Sequence, residues 1–248
     1  MPKKIAGASQ NAKTAVNEAR EGGDGCGPRG RVRLDAVRTT VAGVLLAVGE
    51  GSRFGQPKAL VEFGGQTLAE RGVNLLRAGG ADPILVVTGA VPLELDGTLT
   101  VDNPQWRTGM GSSLRAALQA LTAARAGAAA AAGAAAGADR DVGAVVVALA
   151  DQPLVGAEAV ARLIAAHRDG ASVAVAAYDG QPRNPVLLAR EHWPEVIETA
   201  TGDQGARTFL RAHPDLVTLV ECGDTGRPDD IDTPADLARI TAAADQAP

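Results

Sequence analysis

Aromatic side chains are scarce in this 248-residue chain, where Phe, Tyr and Trp together make up 2% of the residues. The core must therefore be built from Val, Leu, Ile and Ala. Two cysteines, Cys26 and Cys222, lie far apart, which argues against a disulfide or a zinc site and favours reduced thiols in a cytoplasmic protein. No apolar run is long enough to cross a membrane, and no apolar segment typical of a secretory signal follows the opening residues.

The charge is modest and unevenly spread. The formal net charge is −5, but residues 1–38 carry eight basic and four acidic residues among Gly and Ala without any period. That composition predicts a disordered N-terminal tail, and the acidic remainder argues against a nucleic-acid partner. We expect one ordered domain over residues 39–248, interrupted at 123–140 by an Ala-rich mobile insert that lacks larger apolar groups for packing.

Continuous apolar runs alternate with amphipathic segments from Thr39 onward. The runs "TVAGVLLAV", "DPILVVTG" and "VGAVVVALAD" are typical of parallel strands buried on both faces. "QTLAERGVNLLRAGG", "GAEAVARLIAAHRDG" and "TPADLARITAAA" predict helices, and the serines of "GMGSSLRAAL" suit a helix N-terminus. "NPVLLAR" predicts only a short strand. The pattern indicates an open, mostly parallel α/β sheet, in which ligands bind beyond the carboxyl ends of the strands.

The first strand ends in a glycine-rich loop, "AVGEGSRFGQPK". Gly49, Gly51 and Gly55 are spaced too widely for a dinucleotide fingerprint, and the Walker pattern also fails because no Ser or Thr follows Lys58. Such a loop can still direct backbone N–H groups at phosphate oxygens. Arg53 and Lys58 add two cations, which suits phosphoryl or nucleotidyl transfer better than hydride transfer.

Carboxylates follow one predicted strand and precede the last predicted helix. Asp151 follows the buried run "VVVAL" directly and would suit Mg²⁺, although it could instead cap the next helix. Asp229, Asp230 and Asp232 precede the last helix; this cluster could complete the metal site or merely favour the helix start.

These segments together resemble the MobA-like nucleotidyltransferases, and most closely the molybdenum cofactor cytidylyltransferases. The opening loop is similar to "LAAGxSxRxGxxK", with Val48 in place of the usual alanine, and "DNPQWRTGMGSSLRAAL" is similar to "NPxWxxGMxxSL". "LADQP", "RNPVLL", "GDQGAR" and "DIDTPADL" follow in the family's order, with Arg183 departing from the family's glycine. The resemblance covers residues 41–243 and implies a Rossmann-like fold of the nucleotide-diphospho-sugar transferase type.

The resemblance implies Mg²⁺-dependent transfer of a nucleoside monophosphate, with CTP favoured as donor, to a phosphate-bearing acceptor such as molybdopterin. A molybdoenzyme or its maturation factor would be the implied protein partner. Arg53, Lys58 and Asp151 would be catalytic, and Asp151 and Asp232 would hold the metal. The implied nucleotide contacts are Ala47, Gly49, Gly51, Ser52, Arg53, Lys58, Thr88, Asn103, Gly109 and Ser112. The implied acceptor contacts are Asn184, Pro185, Asp203 and Arg207.

Other readings stay open at this point. The same motifs resemble nicotine blue oxidoreductases, for which the loop would hold NAD(P)H. A guanylyltransferase of the same fold, or a transferase with a sugar-phosphate or isoprenoid-pathway acceptor, also stays open, although the "NPxWxxGM" segment is less typical of these. The residues do not distinguish CTP from GTP. A catalytically inactive regulatory protein is disfavoured, since both carboxylates and both cations are present.

Overall fold

The computed structural model describes residues 40–130 and 141–244. The predicted disordered tail and the second half of the predicted Ala-rich insert lie outside the described residues. The strands are β1 (Thr40–Leu46), β2 (Glu62–Phe63), β3 (Gln66–Thr67), β4 (Ile84–Thr88), β5 (Leu99–Asp102), β6 (Val142–Leu149), β7 (Val173–Tyr178), β8 (Gln181–Ala189) and β9 (Val217–Glu221). The helices are α1 (Leu68–Ala78), α2 (Met110–Ala130), α3 (Ala157–Arg168), α4 (Trp193–Thr199), α5 (Arg207–Ala212) and α6 (Pro234–Ala244).

Seven strands form one mostly parallel sheet in the order β5-β4-β1-β6-β8-β7-β9, while β2 and β3 form a separate hairpin. Only β8 is antiparallel to its neighbours in the seven-stranded sheet. Leu46 at the end of β1 pairs with Leu149 at the end of β6. The loops after these two strands therefore start side by side at one edge of the sheet.

The sheet is covered on both faces, as predicted. Along β1, Val41 and Leu45 point into one apolar cluster, whereas Val44 and Leu46 point into the other, as the period-2 geometry of a strand requires. Helices α1 and α3 pack on the first face, and α2 and α4 on the second. Fully burying each aliphatic side chain contributes about 1.5–3 kcal/mol, so these strands form a rigid base for the loops at their ends.

Local signals explain several helix boundaries. Thr67 and Glu70 form a capping box at the start of α1. At the start of α6, the Thr233 N–H donates to the Asp236 carboxylate, and the Asp236 N–H donates to the Thr233 hydroxyl. The prediction that Ser112 and Ser113 cap α2 is wrong, because α2 begins at Met110 and both serines lie buried in its first turn.

Three other elements differ from the sequence predictions or had none. The segment predicted as a short strand is the nine-residue β8, and α4 carries no strong sequence signal. α2 continues through Ala130, into the segment predicted as a mobile insert. Among the described helices, none has the length and apolar character needed to span a membrane.

Candidate active site

The glycine-rich loop after β1 folds into a tight turn. Phe54 and Gly55 both donate backbone hydrogen bonds to the carbonyl of Gly51, at 2.7 and 3.0 Å. Gly51 has a φ of +64°, and a Cβ at this position would lie 1.9 Å from the carbonyl oxygen of Gln56. Only glycine combines that backbone conformation with so close an approach. The turn brings the chain back so that the Lys58 N–H donates to the Gly49 carbonyl at 3.2 Å.

Lys58 lies between two carboxylates that are far away in the sequence. Its Nζ is 3.0 Å from Oδ2 of Asp151 and 2.5 Å from Oδ1 of Asp232. The aliphatic part of the Lys58 side chain lies against Gly49, since a Cβ on that glycine would be 3.4 Å from the Lys58 Cδ. The lysine therefore joins the glycine turn to both predicted metal-binding residues.

The segment carrying Asp232 is attached to the end of β6 by further hydrogen bonds. The Ile231 N–H donates to the Asp151 carbonyl at 2.8 Å, and the Gln152 Nε2 donates to Oδ1 of Asp230 at 2.9 Å. The N-cap residue of α3 is Gly156, so the alternative of Asp151 as that helix's cap does not hold. The acidic cluster is thus more than a favourable helix start, because Asp232 also reaches Lys58.

The clustered charges perturb one another. Burial alone would lower the pKa of Lys58, but the charge of Asp151 and hydrogen bonds to both carboxylates outweigh it, so the pKa of Lys58 is raised. Burial and repulsion by Asp151 raise the pKa of Asp230, against the lowering effect of the hydrogen bond from Gln152. The lysine is thus held as an ammonium ion, in a region with more carboxylates than cations.

A cleft of about 240 Å³ opens above these residues. Many of the residues predicted for the nucleotide, metal and acceptor sites line it together: Ala47, Gly49, Lys58, Gly109, Asp151 and Asp203. Gly51 and Ser52 line an adjoining open hollow. A Cβ on Gly109 would lie 2.3 Å from the backbone carbon of Gly202, and this close approach brings Asp203 to the cleft.

Other predicted residues lie outside the lining of both spaces. Thr88, Asn103 and Ser112 are buried, and the Asn103 side-chain amide donates to the hydroxyls of Ser112 and Ser113. Asn103 therefore fixes the first turn of α2. The structure leaves Arg53 exposed, without an ion pair to a described residue. The remaining predicted acceptor contacts line neither space: Asn184, Pro185 and Arg207.

Trp106 is a site residue that the sequence reasoning did not single out. It lines both the cleft and the adjoining hollow, and the Arg107 guanidinium lies 4.3 Å from its ring centre. A Cβ on Gly89 would lie 2.6 Å from the Trp106 Cγ, so the indole packs directly on the turn after β4. The sequence signal was present, because Trp106 is the tryptophan in the segment similar to "NPxWxxGMxxSL".

The donor set fits a hard divalent cation. Asp151 and Asp232 present carboxylate oxygens around one point, and Mg²⁺ is commonly held by one or two carboxylates plus water and substrate phosphate oxygens. Within residues 40–130 and 141–244, no group of three or more His, Cys, Asp or Glu side chains is placed to hold a metal. A cation here would therefore depend on oxygens from water or substrate.

The fold and this site define an α/β protein that places a glycine-rich loop and two carboxylates at the carboxyl edge of a mostly parallel sheet, where ligands of such sheets bind. The chain belongs to the family of the MobA-like NTP transferase domain, which matches residues 43–217. It is accordingly a nucleotidyltransferase-family protein, and the predicted family and fold class are confirmed.

Individual relatives differ in their described activities. The chain is 35% identical over 214 residues to nicotine blue oxidoreductase of Paenarthrobacter nicotinovorans, covering 81% of this chain and 96% of that protein. It is 35% identical over 92 residues to a probable molybdenum cofactor guanylyltransferase of Opitutus terrae, covering 37% of this chain and 46% of that one. A crystal structure of a Rv0371c homologue from Mycobacterium sp. strain JC1 superposes with a TM-score of 0.66 at 29% identity, covering 83% and 97% of the chains.

Proposed function

We propose that this protein is a Mg²⁺-dependent cytidylyltransferase that moves CMP from CTP to a phosphate-bearing acceptor of the molybdopterin type, with release of pyrophosphate. The observation that carries the proposal is the contact of Lys58 with both Asp151 and Asp232 beside the glycine turn. Nucleotidyl transfer needs positive charge next to the phosphates and carboxylates for a divalent ion, and this arrangement supplies both.

In the proposed reaction an acceptor phosphate oxygen attacks the α-phosphorus of the nucleotide, and the bond from that phosphorus to the β-phosphate oxygen breaks. The electron pair of that bond leaves with pyrophosphate. The acceptor is already an anion, so alignment and charge neutralisation matter more than proton transfer. Lys58 would contact the triphosphate, with Arg53 as a second cation if its exposed side chain turns inward. A divalent ion on Asp151 and Asp232 would neutralise phosphate charge.

The choice of CTP and of molybdopterin rests on the similarity of the motifs to cytidylyltransferases. A relative described as a guanylyltransferase makes GTP the first competing donor. The proposed acceptor contacts are Asp203 on the cleft wall, with Asn184, Pro185 and Arg207 outside the cleft lining. A cytoplasmic location and a molybdoenzyme or maturation factor as recipient belong to the same proposal.

The test measures pyrophosphate release with each of the four NTPs, molybdopterin and Mg²⁺. Asp151→Asn and Asp232→Asn should each reduce release by at least about 10²-fold. Asp229→Asn is the matched control, because Asp229 lies in the same segment but pairs with Arg227 and Arg239. Wild-type turnover that is indifferent to Mg²⁺, or an Asp151→Asn variant with full activity, would refute the proposal.

A second candidate is an NAD(P)H-dependent oxidoreductase, favoured by the 35% identity that covers 96% of nicotine blue oxidoreductase. The same cleft would then bind a dinucleotide, although the glycine spacing departs from the usual fingerprint. NADH or NADPH should in that case raise the melting temperature without Mg²⁺. A panel of CTP, GTP, ATP, UTP, NADH and NADPH, each with and without Mg²⁺, separates the two candidates.

A further inference from the structure

A second cleft, of about 220 Å³, lies between α1, α3 and the loop that follows β6. Its apolar wall includes Leu75, Ala78 and Val155, and its polar lining includes Arg71, Gln66, Asn74 and Gln152. Leu149 and Ala150 line both this cleft and the candidate active cleft, so the two are neighbours at the end of β6. The volume is below the roughly 300–1,000 Å³ of sites for drug-sized ligands, which favours a small ligand.

Arg71 is the charged group in this second cleft, and no carboxylate of the described residues pairs with it. Its Nη2 donates to the Pro153 carbonyl at 3.2 Å, and its guanidinium lies 4.8 Å from the centre of the Phe63 ring. Nε is buried without a hydrogen-bond partner. Nη1 donates no hydrogen bond within residues 40–130 and 141–244 and is not among the buried unpaired atoms there; it lies near the turn at Gly64, 3.5 Å from a Cβ built at that glycine. The guanidinium therefore keeps N–H donors that no described residue uses.

The surroundings hold Arg71 in place without neutralising it. Ring stacking and the carbonyl contact orient the guanidinium but leave its charge unbalanced, and guanidinium donors are well matched to carboxylate and phosphate oxygens. Gln66 and Asn74 are exposed amides at the same cleft and can add N–H donors. The apolar wall gives a carbon stem somewhere to pack.

We propose that this second cleft is a binding site for a small organic oxyanion, a carboxylate or phosphate group on a short apolar stem, held by Arg71. The site is separate from the proposed nucleotide site, so it stands or falls independently of the proposed function. Its ligand would lie against Gln152 and Pro153, directly after Asp151.

Binding is tested by thermal shift and calorimetry with inorganic phosphate, phenyl phosphate and benzoate, with benzamide as the uncharged probe. All measurements use metal-free, nucleotide-free protein at constant ionic strength. At about ten times the dissociation constant, an anion that binds the native state should raise the melting temperature by roughly 3–6 °C. The phosphate and carboxylate probes distinguish which oxyanion the site prefers.

Four variants locate the bound anion. Arg71→Met and Asn74→Phe should abolish the shift, the first by removing the charge and the second by filling the cleft from an exposed position. Arg77→Met is the matched control on the same helix, because Arg77 bonds the Asp96 carbonyl and does not line the cleft. Lys58→Met should leave the shift unchanged.

Three results would overturn the proposal. They are the absence of anion binding to the wild type, binding that survives Arg71→Met, and binding lost in Lys58→Met alone. If Arg71→Met does not fold, Asn74→Phe decides the question by itself, because the exposed side chain of Asn74 makes no hydrogen bond to a described residue.

Discussion

Replacing Lys58 by methionine should tighten the binding of a divalent cation to nucleotide-free protein. The ammonium of Lys58 contacts both Asp151 and Asp232, and its side chain is only 17% exposed. Any cation held by those carboxylates must compete with it. Exposed ion pairs contribute about 0.2–1 kcal/mol each, and partial burial places these two near the upper end, about 1–2 kcal/mol together. Since about 1.4 kcal/mol is a factor of ten, Mn²⁺ affinity should rise roughly 5- to 30-fold.

The assay is calorimetric titration of Mn²⁺ into the wild type and Lys58→Met without nucleotide. Arg162→Met is the matched control. Arg162 forms an ion pair with Asp224, with Nη1 2.6 Å from Oδ1, and neither residue lines the cleft. This variant should change Mn²⁺ affinity less than about twofold. Turnover should respond in the opposite direction, falling by about 10²–10³-fold, because the phosphates lose their cation. If Lys58→Met binds Mn²⁺ no better than the wild type, then the lysine does not compete for the carboxylates and the metal assignment fails.

Three further outcomes are expected. Gly51→Ala should lower the free energy of unfolding in urea by about 3 kcal/mol or more. Gly55→Ala should lower it by only about 1–2 kcal/mol, because Gly55 has a φ of +73° but no atom within 4 Å of a new Cβ. Equal losses would contradict the role of the close approach at Gly51. Thr67→Ala and Thr233→Ala should each lose about 1 kcal/mol of stability with their caps, but only Thr233→Ala should slow turnover, because it loosens the segment that carries Asp232. Hydrogen bonds from Thr67 lower the pKa of Glu70, so the ionised carboxylate stabilises the fold at neutral pH. That stabilisation is lost as the pH falls through the folded-state pKa of Glu70. The difference in unfolding free energy between wild type and Glu70→Gln should therefore shrink towards pH 3.

Most of the architecture was accessible from local patterns in the chain. The continuous runs that form β1, β4 and β6 place apolar residues on both faces of each strand. Such strands are typical of a sheet that is covered on both faces. The start of α6 was readable because Thr233 and Pro234 carry the N-terminal signals in adjacent positions. β8 and α4 were harder, since cross-strand and interhelical contacts stabilise them more than their own sequence patterns do.

The candidate site shows the same division. The motif residues Lys58, Asp151 and Asp232 were identifiable one by one, because each follows a strand or precedes a helix in a chemically suggestive setting. That all three meet at one ammonium depends on hydrogen bonds between the segment before α6 and the end of β6, across 80 residues of chain. Likewise, no local pattern could show that the Asn103 side chain hydrogen-bonds the first turn of α2. Nor could it show that Arg71 lines a cleft whose lining contains no carboxylate. Side-chain periodicity reports burial within one element, whereas the pairing of charges depends on which elements the packed sheet brings together.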